Sequence, residues 1–400
     1  MKRLEKVVFS LAPEAAPCKI ENAGIVGSFL FYESELTGHT CETGMGGDPK
    51  FYNPHQYRDG MEFIGMRYYE EMRFDEQTGR YTVEFLLPPG LYLYRFAVNA
   101  QVVDGMPDFR SGQQGAVLAD GRIHAFSRDT LFFADPENPA RIPTVSGKQD
   151  DSVLAVGTDA DLPWLPGVPA DKRGDVSYMS YTDIDGLPQS LGVYLPAGFS
   201  REKTYPVIFV SHGGGGNEAD WYHAGGIHNI MDKLIAEGRT AEAVLVTMNN
   251  TVYQWDFEKI ARNMEECVIP FVRRVLPVSA EPWDNAFCGL SMGSMTTLYM
   301  YMHHNAAYRY FGAFSGGIAG GEHFSLEDPA LFDRVLMIGC GEKDIAWNFR
   351  EIGVPPTIEA LKKKGLPFIP YFVPGGHDWY CWPQMFTEFA EHVLWKKKEG

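Results

Sequence analysis

The sequence predicts an α/β protein: a mostly parallel sheet with helices on both faces over residues 175–400, preceded by a small all-β sandwich over residues 1–135. Three observations predict it. From about residue 175, apolar runs alternate with helical stretches, as buried parallel strands joined by crossover helices require. Before that, short runs rich in β-branched and aromatic residues are separated by turns. All eight tryptophans lie beyond residue 163, so the halves differ in composition as well as pattern.

The β-rich runs are GIVGSFLFY at 24–32, RYTVEFLLPPGLYLYRFAVN at 80–99 and HAFSRDTLFF at 124–133. Residues 81–87 and 91–98 flank Pro88-Pro89-Gly90, which reads as a hairpin turn inside the sandwich. Residues 136–174 are the expected linker, because the stretch from 135 to 170 carries six prolines and little periodicity. Its apolar Leu162, Trp164 and Leu165 imply docking rather than free tethering. The second half then gives apolar runs at 205–211 (YPVIFVS), 243–248 (AVLVTM), 286–288 and 335–340 (VLMIGC). Helical stretches fall at 227–237, 257–275, 295–304, 356–364 and near 383–397. In such sheets the site lies beyond the carboxyl ends of the strands, so the residues after each run carry the information.

Composition narrows the class. The chain is 45% hydrophobic and 22% charged, ordinary for a folded globular protein. A net charge of −17 repels phosphate backbones and anionic lipid, which argues against nucleic-acid and membrane-surface partners. No run approaches the 18 apolar residues of a membrane-spanning helix. The opening MKRLEKVVFSLAPEAAP has too short an apolar stretch for a secretory signal, so the expected location is cytoplasmic, or secreted if an upstream signal has been removed. Six cysteines without CxxC spacing fit reduced thiols.

Gly289-Leu290-Ser291-Met292-Gly293 follows the run 286–288 and opens a helical segment. A Gly-x-Ser-x-Gly sequence between strand and helix is a nucleophile elbow, whose crowded turn needs glycines at its flanks and lifts the hydroxyl above the sheet. A serine needs a base held in one tautomer by a carboxylate, and in the α/β-hydrolase order both follow it in the chain. Asp344 lies just past VLMIGC and His377 just past FIPYFVP, both at the ends of strands. Glu342 and Asp378 compete for the acid's role; Asp378 adjoins His377 in sequence and more naturally orients its loop. His303 and His304 sit within a helix. The expected triad is therefore Ser291, Asp344 and His377.

The tetrahedral intermediate also needs donors. Ser211-His212-Gly213-Gly214-Gly215-Gly216 follows the strand YPVIFV, where an oxyanion loop belongs. Gly213 or Gly214 is expected to supply one backbone N–H and Met292 the other, with His212 bracing the loop. No Lys-Ser/Thr follows this loop and no GxGxxG occurs, which argues against phosphate binding. His39 with Cys41, and His223 with His228, have no recognised ligand spacing, so neither metal nor cofactor is expected.

The segments YPVIFVSHGGGGNEADW, IMDKLIAEGR, NMEECVIPFVRRVLPV, FCGLSMGS and VPGGHDWYCW, in this order, resemble the esterase D-type α/β-hydrolases that include carbohydrate esterase family 1, the feruloyl and acetyl-xylan esterases. GLYLYRFAVNAQVVDG resembles the closing hairpin of the early-set immunoglobulin-like domain often placed ahead of them. The family's usual GLSMGG ends here in Ser294. The resemblance implies a cofactor-free Ser–Asp–His esterase that releases feruloyl or acetyl groups from plant cell-wall polysaccharide or xylo-oligosaccharide esters. Trp221, Trp255, Trp347 and Trp379 are then the candidates to stack on a hydroxycinnamate ring. Enterochelin-type siderophore esterases share the architecture and are the alternative; their anionic iron–catecholate favours a basic pocket, whereas 211–228 and 374–384 contain no Lys or Arg. A reading of another class is a glycan-binding protein with an inert hydrolase part, its aromatic platform drawn from Tyr32, Tyr52, Tyr57, Tyr68, Tyr69, Tyr92 and Tyr94. The Gly-rich loop 39–60 is expected to lean over the hydrolase domain and shape the leaving-group side, from the partner chain if the protein is a homodimer.

Overall fold

The computed structural model describes residues 3–32, 51–63, 67–108, 113–143, 150–318, 324–347 and 353–395. They form two compact units, Met1–Pro163 with Gly375–Tyr380, and Trp164–Pro374 with Cys381–Gly400.

The second unit is built on eight strands: β1 (Asp175–Thr182), β2 (Pro188–Leu195), β3 (Val207–Ser211), β4 (Val244–Met248), β5 (Asn285–Leu290), β6 (Tyr310–Phe314), β7 (Val335–Gly341) and β8 (Ile369–Val373). Their order across the sheet is β1-β2-β4-β3-β5-β6-β7-β8. β1 and β2 run antiparallel at one edge and the other six are mutually parallel. Every residue of β3, β4, β5 and β6 is buried, which is why these strands read as unbroken apolar runs. From β3 the chain passes to β4 on one side and to β5 on the other, so the strand order reverses at β3 and opens a crevice at the carboxyl ends of β3 and β5. The helices are α1 (Asp220–His223), α2 (Ile227–Ala236), α3 (Phe257–Asn263), α4 (Ile269–Val275), α5 (Met292–His303), α6 (Val354–Lys364) and α7 (Trp382–Glu388). One turn of π-helix, Met264–Val268, joins α3 to α4, so the stretch expected as one helix is continuous but locally widened. Trp164 and Leu165 dock on α2: the Trp164 carbonyl lies 3.1 Å from where a Gly226 side chain would begin, and Asn229 donates to the Leu165 carbonyl at 3.1 Å.

The first unit is all-β. Glu5–Leu11 pairs with Arg80–Leu87, whose other side takes Arg73–Asp75. Gly90–Val98 lies in a second sheet, between Ala23–Gly27 and Asp150–Val156. The sheets meet over aromatic rings: Phe9 lies 4.8 Å from Tyr94 and 5.3 Å from Phe29, and Phe29 lies 5.2 Å from Phe85.

Two expectations are corrected here. Residues 81–87 and 91–98 are not a hairpin, because Pro88-Pro89 carries the chain from one sheet to the other. Two prolines offer no N–H to close a ladder, and the buried Tyr92 hydroxyl donates to the Pro88 carbonyl at 2.8 Å and pins the corner. The expected linker 136–174 is not one either, since Asp150–Val156 pairs with Gly90–Val98 over five residue pairs. Its strand run was obscured by neighbouring prolines and acidic residues. Tyr32, Tyr52, Tyr68, Tyr69, Tyr92 and Tyr94 are all buried, so they form no exposed sugar platform. Residues 39–50 of the long loop lie outside the described residues.

Asp151, on the strand misread as linker, joins that strand to the sheet through charge. Its carboxylate meets Arg67 Nη2 at 2.6 Å and Arg95 Nε at 2.8 Å, with Arg95 and Asp151 both buried. Removing the acid strands two guanidinium groups in a poorly solvated site. Asp151→Asn is expected to lower the unfolding free energy by about 3–5 kcal/mol. Calorimetry should show the loss in the first unit, with Asp151→Asn/Arg95→Leu recovering part of it.

Candidate active site

Ser291 stands between β5 and α5 with φ +53 and ψ −114, a conformation that non-glycine residues rarely adopt. Its N–H is held by the Phe314 carbonyl of β6 at 2.8 Å. The flanking glycines have steric causes. A side chain on Gly289 would begin 2.7 Å from the Ser211 and Gly293 carbonyl oxygens, and one on Gly293 would begin 2.6 Å from those of Ser211 and His212. Both distances are too short for any Cβ. Ser294 is buried and donates its hydroxyl to the Gly316 carbonyl at 2.9 Å. Met292 is the first residue of α5, whose initial N–H groups have no intrahelical acceptor.

The loop after β3 closes against this elbow. Gly213 approaches so near that a side chain there would begin 2.6 Å from Leu290 and 3.4 Å from the Ser291 Cβ. His212 is buried beneath the loop. Its Nδ1 lies 2.6 Å from the Gly213 carbonyl and its Nε2 accepts the Asn250 N–H at 2.8 Å. Burial pushes the imidazole pKa down to about 4, against a lesser upward pull from the Gly213 carbonyl, so it is neutral at physiological pH. The turn after β4 is tied to the same loop, with Asn250 Nδ2 donating to Ser211 Oγ at 3.0 Å and Thr251 Oγ1 to the Gly216 carbonyl at 2.8 Å. Asn250 was missed from sequence; its one signal was its place just past the apolar run AVLVTM.

Asp344 follows β7 and is fully buried. One carboxylate oxygen accepts the Ala346 N–H at 2.8 Å, which fixes the side chain within its turn. Glu342, its competitor, is exposed. His377 lies in Gly375–Tyr380, the segment that follows β8 and packs within the first unit. There a side chain on Gly376 would begin 2.2 Å from the Phe63 carbonyl, and Tyr380 packs on the aromatic core. Asp378 accepts the Tyr380 N–H at 2.9 Å, a turn-forming bond suited to orienting the loop. His303 is the last residue of α5 and His304 its C-cap; His304 faces Glu258 at 3.3 Å and Glu265 at 3.1 Å.

The four tryptophans separate by environment. Trp221 has no exposed surface; its indole donates to the Ser211 carbonyl at 2.9 Å and packs on Phe314 and Phe386. The expectation that it binds substrate is therefore corrected: the core has used both its faces. Trp347 is half-buried, donates to the Gly341 carbonyl at 2.5 Å and meets Phe372 edge-on, holding the turn that carries Asp344. Trp379 is half-buried beside Asp378. Trp255 is 51% exposed, and its ring lies 3.2 Å from where a Gly214 side chain would begin. It follows Gln254, and both hold left-handed backbone, φ +49 and +70. His39 and Cys41 lie outside the described residues, and among the described residues no three metal-ligating side chains converge. No described helix is long and apolar enough to cross a membrane, and the five described cysteines are free.

The parallel sheet and its strand order are those of the α/β-hydrolase fold, and Ser291 stands in strained backbone between β5 and α5. Residues 188–348 match the family described as "Putative esterase". The chain is 27% identical over 237 residues to an "Endo-1,4-beta-xylanase/feruloyl esterase" of Xylanibacter ruminicola, covering 56% of this chain and 32% of that protein. It thus spans about a third of this relative's length. Among solved structures, a feruloyl esterase module from Clostridium thermocellum complexed with sinapinate shares the fold, with TM-score 0.50, 24% identity, and cover of 59% of this chain and 94% of that one. The enterobactin esterase of Shigella flexneri, solved in the presence of 2,3-dihydroxy-N-benzoyl-glycine, is 13% identical with TM-score 0.54, covering 96% of this chain and 92% of that one.

Two predictions follow from the site's supports. An unfolded histidine takes up a proton near pH 6.5, whereas folded His212 does so only near pH 4. Its contribution is thus intact above pH 6.5 and lost as the pH falls toward 4, by up to about 3 kcal/mol. Urea unfolding at pH 7 and 4.5 should show a smaller acid loss for His212→Asn than for the native chain. The second concerns Gly376 and Tyr380, whose packing partners lie in the first unit. A chain lacking residues 1–160 is expected to lose turnover of small aryl acetates together with that of oligosaccharide esters, measured as kcat/KM on both.

Proposed function

We propose that the protein is a carboxylic-ester hydrolase that releases feruloyl, or related hydroxycinnamoyl or acetyl, groups from plant cell-wall polysaccharide esters. The observation that carries this reading is the half-exposed Trp255 ring beside Gly214, in a domain whose similar curated protein carries feruloyl esterase in its name. Ser291 Oγ attacks the ester carbonyl carbon while His377 takes its proton. His377 then returns that proton to the departing sugar oxygen, and Asp344 holds the imidazolium that forms between the two steps. Backbone N–H groups of Met292 and of Gly213 or Gly214 meet the developing oxyanion. Water, deprotonated by the same histidine, attacks the acyl-enzyme and frees the acid. The flat indole suits a planar hydroxycinnamate ring, and a site loop without Lys or Arg suits a neutral ester.

The siderophore reading has one observation in its favour: the enterobactin esterase fold extends over the all-β unit as well as the catalytic one. The choice is settled by substrate. On methyl ferulate, acetylated xylo-oligosaccharide and a catecholate siderophore, kcat/KM should be highest for the ferulate. Ser291→Ala should lower kcat by on the order of 10⁴–10⁶ with folding intact. Trp255→Ala should weaken ferulate turnover about tenfold or more, in line with the about 1.5 kcal/mol of an aromatic contact, and leave aryl acetate within about threefold. A preference for the siderophore would overturn the feruloyl reading.

A further inference from the structure

His212 makes two bonds that fix its proton. Asn250 N–H donates to Nε2 at 2.8 Å, so Nε2 carries no hydrogen; Nδ1 therefore holds it and donates to the Gly213 carbonyl at 2.6 Å. That carbonyl also accepts the Gly216 N–H at 3.1 Å. Both bonds draw it toward the floor of the loop. In a trans peptide the carbonyl and the following N–H point in opposite directions, so the Gly214 N–H is turned away from the imidazole. It is also turned without competition, for among the described backbone bonds Gly214 donates none. A side chain on Gly213, one residue before it, would begin 3.4 Å from the Ser291 Cβ.

We propose that His212 is a positioning residue that sets the oxyanion hole: its neutral, Nδ1-protonated imidazole turns the 213–214 peptide so that Gly214, rather than Gly213, supplies the loop's N–H. This rests on the reading of Ser291 as the nucleophile, and it needs no particular acyl group. A glycine-rich loop has many conformations, and Gly215 already holds φ +79. A fixed acceptor geometry at Gly213 selects one of them before substrate arrives, which is the condition for stabilising charge in the transition state without reorganisation. Asn250 completes the device by giving the imidazole a second, backbone anchor from the β4 turn. Because that turn also carries Trp255, the oxyanion donor and the exposed ring are held on one frame.

The test uses the full chain and an activated aryl acetate, which any serine esterase of this class can turn over. In ¹⁵N-histidine NMR of the native protein, His212 should show a protonated Nδ1 and an unprotonated Nε2; the reverse tautomer would overturn the proposal without any substitution. His212→Phe keeps the ring's bulk but neither bond. It should lower kcat by about 10²–10³, the loss typical of one oxyanion donor, with KM changed less than about threefold. Affinity for an aryl trifluoromethyl ketone, which forms an oxyanionic adduct on the serine, should fall by the same factor. His212→Asn places an amide N–H near the Nδ1 position and should recover at least tenfold of the lost kcat. If folded His212→Phe keeps native kcat and ketone affinity while Ser291→Ala is dead, His212 is structural only and the proposal fails alone. If Ser291→Ala retains activity, the nucleophile reading fails with it.

Discussion

The close crossing of α5 over β3 is the constraint on which this site depends. Backbone meets backbone there: Gly293 lies where any Cβ would come within 2.6 Å of the Ser211 and His212 carbonyl oxygens, and Gly289 is as crowded from the other side. With no side chain between them, the start of α5 and the loop after β3 meet backbone to backbone. Ser291 holds a positive φ at this approach, directly before the first turn of α5. A larger residue at either glycine would not simply fill space. It would part Ser291 and the start of α5 from the loop after β3.

Electrostatics around the crossing work by desolvation more than by ion pairing. His212 is kept neutral by burial and can therefore accept at one nitrogen and donate at the other, which a charged imidazolium could not do. Asp344 is likewise buried, in a turn that supplies a backbone N–H at 2.8 Å. Cys340, at the end of β7, has its thiol pushed well above its ordinary pKa, chiefly by burial and then by the Asp344 charge, so it remains a packing residue beside the acid rather than a rival nucleophile. The loop 211–228 holds only Glu218 and Asp220 among charged side chains other than histidine.

Much of this was legible in the sequence because the catalytic unit's logic is local. A buried parallel strand must be apolar and a tight strand-to-helix turn must have its glycines, and Asp344 and His377 each come after a strand. What escaped was non-local. Asp175–Thr182 and Pro188–Leu195 form an edge hairpin with many exposed positions, and Tyr310–Phe314 is five residues long with a glycine at its centre. None of the three gives the long apolar run that marks an interior strand. Asp150–Val156 was hidden because its meaning comes from Gly90–Val98, some sixty residues earlier, and from a carboxylate shared by two arginines. Trp221 misled for the opposite reason: it follows a strand, as a substrate contact would, but a ring of that size has just as good a use in the core.

Backbone strain gives an independent view of where the molecule concentrates function. Six non-glycine residues among those described have positive φ: Asn99, Gln254, Trp255, Ser291, Ser315 and Trp395. Four of these follow β4, β5 and β6, on the single edge of the sheet where the parallel strands end. Each costs on the order of 1–3 kcal/mol and persists only where its surroundings over-determine it. They do so here. Ser291 N–H is held by Phe314, Ser315 N–H by Gly339, and the Ser315 hydroxyl by the buried Trp382 indole at 2.9 Å. Gln254 and Trp255 are bracketed by the turn at Thr251–Tyr253 and by Asp256, which caps α3 through the Lys259 N–H. The strain is therefore borne by sheet and helix ends rather than by flexible loops. Trp255 differs from the others in one respect: its backbone is strained like that of Ser291, yet the residue is 51% exposed. A core residue gains burial in exchange for such a conformation, and Trp255 gains little of it.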